Sequence, residues 1–150
     1  MHEDSSVLDD LMLSLKDKGA TSIYHVLPKA YIVLDLRGKI LGYNPKCKDL
    51  LGLIHHDGET KNMNEFLIGE NRERFMIMLE LVGLMGHVND FELEITASCG
   101  RKKVIWISSS AIYDSKKNAI AIHCLMSDMT REQMFLDQMK EELRTFSDQH

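Results

Sequence analysis

The chain has no apolar run that approaches the roughly 20 residues needed to span a bilayer as a helix. Its start, "MHEDSSVLDD", is acidic and lacks the basic stretch and apolar stretch of a secretory signal. Cysteine is scarce: Cys47, Cys99 and Cys124 are odd in number, widely spaced, and form no C-x-x-C. That pattern fits a reducing cytoplasm, the expected location, better than a disulfide framework. There is no excess of positive charge. The formal net charge is -5 and the sequence pI about 5.8, which speaks against nucleic acid as a main partner. No P-loop, G-x-S-x-G, H-E-x-x-H or G-x-G-x-x-G occurs, so no catalytic set can be assembled and no enzyme is expected.

What is present suits one folded domain: 150 residues, 44% apolar and 27% charged. "SSVLDDLMLSLKDKG" has the pattern of a helix, with Leu8, Leu11, Met12 and Leu15 at helical spacing and Gly19 as its stop. "YIVLD" and "KILGY" are strands joined by a turn in which Gly38 can take a positive φ. Asn44 then caps a helix of about two turns, "PKCKDLLG", with Pro45 at the first helical position, where its missing N–H costs nothing. Leu50 and Leu51 anchor it. After a loop and one helical turn in "NMNEFL", residues 70–87 read as a long helix. Glu73, Glu80 and His87 mark its polar side, and Phe75, Ile77, Met78, Leu81, Val82 and Met85 its apolar side. Three strands follow, "VNDFELEITA", "KKVIWISSSAIY" and "NAIAIHCLMSD", with short turns at "CGR" and "DSKKN". Residues 130–146 form a last helix, in which Thr130 and Gln133 have the spacing of a capping box. This order gives an α+β domain: one antiparallel sheet with helices on one side.

In order along the chain, five features resemble a PAS domain. They are the opening "AYIVLDLRGKILGYNPKCKDLLG", the long helix, "FELEITASCGRKKVIWISSSAIYD" with Trp106, the ending "NAIAIHCLMSDMT", and a helix leaving directly afterwards. Asp128-Met129-Thr130 is similar to the Asp-Ile-Thr motif that closes the last strand in that family. The resemblance covers about residues 22–130. It implies a PAS-like five-stranded antiparallel sheet in the order 2-1-5-4-3, with helices on one face and flanking helices at both ends. The domain then spans residues 21–130, between an N-terminal helical cap at 1–20 and a C-terminal linker helix at 131–150. The resemblance also implies a sensor of ligands, light or redox state, or a dimerisation module. Such modules sit in front of an output domain, such as the histidine kinase of a two-component system or a nucleotide cyclase.

The resemblance places a small-molecule pocket between helices and sheet, for which Ile77, Met78, Leu81, Trp106 and His123 are the candidate lining. Trp106 is expected to be buried on a central strand. A packed core with no ligand is the alternative, since Met side chains also fill irregular interiors. Flavin-binding photosensors of the family carry a cysteine just before the long helix. Here that region reads "NMNEFLIGENRERF", which argues against a cysteinyl-flavin. A haem-based sensor is the least favoured alternative, and no metal is predicted. C-x-x-C-H is absent, His87 falls on the polar helix face, and His123 suits a hydrogen-bonded core position better than an axial one. His55 and His56, with Asp57 and Glu59, lie in a turn-like segment whose default is an unoccupied surface. "SSS" at 108–110 is a polar sheet face with no nucleophile elbow around it. In the last helix, Met129, Leu136 and Leu143 recur every seven residues, as do Met139 and Phe146, with Glu132 at the intervening position. Leu136, Met139 and Leu143, joined by Leu8, Leu11 and Leu15, are the expected homodimer surface. A helix folded back on its own domain is the simpler alternative.

Overall fold

The computed structural model describes residues 29–53 and 61–148; the segment expected to form an N-terminal helix, with Leu8, Leu11 and Leu15, and residues 55–59 lie outside the described residues. Five strands, β1 (Ala30–Leu34), β2 (Ile40–Tyr43), β3 (His87–Thr96), β4 (Lys102–Tyr113) and β5 (Ala119–Asp128), form one sheet. Every neighbouring pair is antiparallel, in the order β2-β1-β5-β4-β3. Helices α1 (Pro45–Leu51) and α2 (Glu70–Met85), and a 3₁₀ turn at Met63–Phe66, connect β2 to β3; α3 (Thr130–Asp148) follows β5. The sheet order and the side taken by α1 and α2 are those implied by the resemblance.

Two turns use one chemical device. In the first, Asp35 Oδ1 accepts from the amides of Arg37 (2.8 Å) and Lys39 (2.9 Å), and the Asp35 amide donates to Lys39 O. In the second, Asp114 Oδ1 accepts from Lys116 (2.9 Å) and Asn118 (2.8 Å), and its amide donates to Asn118 O. Each turn needs a positive φ at its fourth residue. Gly38 supplies it at +92°, and Lys117 at +66°. Gly38 has a second reason to be glycine: a Cβ there would lie 2.9 Å from the ring of Phe75.

Helix α1 forms as its sequence requires. Asn44 Oδ1 accepts from the Cys47 amide at 2.9 Å, Pro45 is the first helical residue, and Gly52 ends the helix in the left-handed conformation. Helix α2 buries Phe75, Met78, Leu79 and Val82, the i, i+3, i+4, i+7 stripe of a helix lying on a sheet. It also covers the outer edge of β3. Asn71 Oδ1 accepts from the Glu94 amide (3.0 Å), and Arg74 donates to Glu92 O (2.7 Å) while its guanidinium lies 5.1 Å from the Phe91 ring centre. Those bonds occupy backbone groups that an exposed edge would offer to another strand.

The core lies between these helices and one sheet face. Ile32, Leu34, Leu93, Ile95, Ile105, Ile107, Ile122 and Met126 point into it and are closed off from solvent. On the other face, a smaller apolar group gathers Tyr31, Val33 and Ala121, with Leu41, Ile112, Ile120 and Leu125 at its margin.

Candidate functional site

The sheet is held to its flanking chain at two polar joints. The first is Asn44, which is buried and does more than cap α1. Its Oδ1 also accepts from the Tyr31 amide (2.9 Å), its Nδ2 donates to Lys29 O (3.0 Å), and its own amide donates to Tyr31 O (3.0 Å). The second joint is Asp128–Thr130. Asp128 Oδ1 accepts from the Thr130 amide (3.0 Å) and from the Thr130 hydroxyl; the hydroxyl oxygen accepts from the Val104 amide (3.1 Å). Met129 N donates to Val104 O at 2.8 Å. The start of α3 is thus pinned to β4. The expected capping box does not form, because the Thr130 hydroxyl is engaged with the sheet and Gln133 reaches forward to Asp137 (3.0 Å).

Of the five residues expected to line a pocket, only Met78 is enclosed between helix and sheet. Leu81 is half-buried, and Ile77 is 51% exposed. The cause is helical phase: from Phe75 onward α2 is apolar nearly all round, Glu80 apart, and the stripe that meets the sheet runs through Phe75, Met78, Leu79 and Val82. Trp106 is not buried. It pairs with Glu92 and Ser127 on the face away from α2 and is 40% exposed. His123 lies on that same face, since Ile122 and Cys124 on either side of it point into the core. Its Nδ1 is 3.3 Å from the Tyr31 hydroxyl, and the two rings meet edge to face at 6.0 Å. Burial pushes its pKa below the usual histidine value.

The core wall behind Met78 carries a feature the sequence did not single out. Ser109, the middle serine of "SSS", faces inward and is buried. Its hydroxyl reaches Cys124 Sγ (3.0 Å) and Met78 Sδ (3.7 Å). Sulfur is a weak acceptor, so this buried donor is satisfied only softly. Burial, joined by the charge of Cys124, pushes the Cys47 thiol up to about 12; burial also lifts Cys124 to about 12, with the Ser109 hydrogen bond acting the other way. Both thiols stay protonated at neutral pH and are poor nucleophiles. Strand alternation around Ile105 and Ile107 was the signal that could have placed Ser109 inside.

Helix α3 has no buried residue. Leu136, Met139 and Leu143, the expected dimer residues, lie 44–64% exposed along it. No helix among the described residues is long and apolar enough to cross a membrane.

A family model described as the PAS fold matches residues 21–129. The PAS domain of a protein from Colwellia psychrerythraea superposes with a TM-score of 0.68 at 18% identity, covering 76% of this chain and 97% of that one. An RNA-binding light-oxygen-voltage receptor superposes at 0.69 and 16% identity, over 92% of this chain and 39% of that one. The PAS domain of an HTR-like protein from Haloarcula marismortui gives 0.57 and 16%, over 80% and 97%. At such identities the likeness is one of fold. No curated protein matches the chain.

Proposed function

The chain belongs to the PAS fold family, generally a family of sensory and signalling modules, and from that premise we propose that it is a cytoplasmic sensor module that pairs with a second copy through α3 and relays its state along that helix to an output domain of kinase or cyclase type. The observation that carries this reading is the exit of the chain. Asp128 and Thr130 fix the first turn of α3 to β4, whereas the following turns present Leu136, Met139 and Leu143 to solvent at heptad spacing. An exposed stripe of this kind is a binding surface, and a two-fold partner offers its own complement. In this reading residues 131–150 are the linker, and Leu8, Leu11 and Leu15 add to the same seam.

The full chain should scatter light as a dimer at high micromolar concentration, and removal of residues 131–150 should yield a monomer. A monomeric full chain, or a dimer that survives that removal together with removal of residues 1–18, defeats the pairing.

A second reading is favoured by Ser109. Its hydroxyl, held only by two sulfur atoms, is a polar foothold in an apolar wall that a small neutral ligand with an acceptor oxygen would satisfy better. Native mass spectrometry of freshly purified protein tests it: a retained mass that Ser109→Ala abolishes supports a ligand. A bare polypeptide mass supports the packed, ligand-free module.

A further inference from the structure

We infer that the outward part of the sheet around Trp106 is a docking surface for an arginine-bearing segment of a protein partner. Trp106 is the only tryptophan in the chain and stands 40% exposed on a sheet face, not in the core. It sits between Val104 and Ser108 along β4, with Glu92 directly across on β3 and Glu94 across from Val104. An indole held on a rigid strand loses little freedom on binding, and buried tryptophans dominate the energetics of protein interfaces.

The charge around it selects the partner. A cleft of about 390 Å³ opens beside Val104, and its lining includes Glu70, Glu92, Glu94 and Asp137 against one cation, Arg74. Arg74 is turned to the Glu92 carbonyl and the Phe91 ring. Among the described residues none of the four carboxylates has an ion-pair partner. Lys103, next to Val104, is turned to the other face, where its Nζ donates to Leu50 O (2.8 Å), and Lys102, two positions from Val104, is the nearest cation of the strand on the Val104 side. Phosphate and anionic headgroups are repelled by such a surface, which disfavours nucleic acid and membrane as occupants. A guanidinium meets both halves of it. It stacks on an indole face as a planar cation and donates in a fork to carboxylates, which an ammonium does less well.

The single tryptophan makes the test direct. The full chain is titrated with a short synthetic peptide carrying several arginines, and Trp106 emission is followed. Saturable quenching or a blue shift is expected. The lysine version should bind several-fold more weakly and the glutamate version not at all. Followed by anisotropy of labelled peptide, Trp106→Ala should weaken binding by about tenfold or more. The double variant Glu92→Gln/Glu94→Gln should weaken it several-fold and flatten its salt dependence. Because both glutamates and Trp106 are exposed, unchanged circular dichroism is the check that these variants fold. Emission unmoved by millimolar peptide, equal binding of the three peptides, or affinity untouched by the glutamine pair overturns the proposal. Emission that shifts on dilution of the protein alone also overturns it, because a second copy then occupies the face.

Discussion

The two faces of the sheet are built from the same strands, yet they have different characters. On β4, Ile105 and Ile107 are sealed beneath α2, while Trp106 between them is open. On β5, Ile122 and Cys124 are closed in the main core, while His123 between them shares the other face with Tyr31. The inner face has one task, to exclude water, and does it with branched aliphatic side chains packed against a helix. The outer face mixes a tryptophan, a histidine, serines and a small apolar group, a composition suited to contacts that form and break. On β4 burial therefore tracks the face a residue takes and not its size, for the only tryptophan of the chain is on the wetter side, whereas Tyr31, Val33 and Ala121 are buried on that outer face where β1 and β5 meet.

That contrast can be broken at its strong end. Ile107→Ala should cost about 2–5 kcal/mol in denaturant titration, because the cavity it leaves is walled by a helix that cannot collapse onto it. Trp106→Ala should cost less than about 2 kcal/mol, well short of what a fully enclosed tryptophan costs. A larger loss for Trp106 than for Ile107 would reverse the assignment of faces. His123 sharpens the comparison through pH. Folding lowers its pKa from 6.5, so the unfolded chain takes up its proton first. Stability from this source is complete above about pH 6.5 and declines as pH falls below it. His123→Gln should flatten that part of the stability curve, and an unchanged slope would place the ring in water. The smallest effect belongs to neither face. Lys117 holds a left-handed φ that Gly38 takes without cost in the matching turn. Lys117→Gly should raise the stability by up to about 1 kcal/mol, read as a higher Tm.

Much of the fold was legible because its punctuation is chemical. Asn44, Pro45 and Gly52 mark both ends of α1, and the aspartate turns mark two hairpins, so those boundaries fall where side-chain hydrogen bonding and positive φ dictate. The strand spans followed from the turns between them. What could not be read was which side each element shows. Helix α2 carries Phe75, Met76, Ile77, Met78 and Leu79 in succession, and with apolar groups all round it no phase stands out. Strand β5 is apolar on both parities for the same reason. A central strand for Trp106 and an apolar strand for His123 suggest the interior without fixing the face, and each is one strand position away from an inward residue. The pairing of Thr130 with Val104 joins positions distant in sequence, and nothing local distinguishes it from a capping box.

The Asn44 joint has a consequence for how the domain breathes. One carboxamide oxygen holds the amide of Tyr31 at the start of β1 and the amide of Cys47 in the first turn of α1. Rotation of a single side chain releases both, so their exchange with deuterated solvent is coupled although they belong to different elements. The same rotation frees the carbonyl of Lys29, the first described residue before β1. Whatever pulls on the chain ahead of the sheet is therefore felt at the start of α1 before any strand need move.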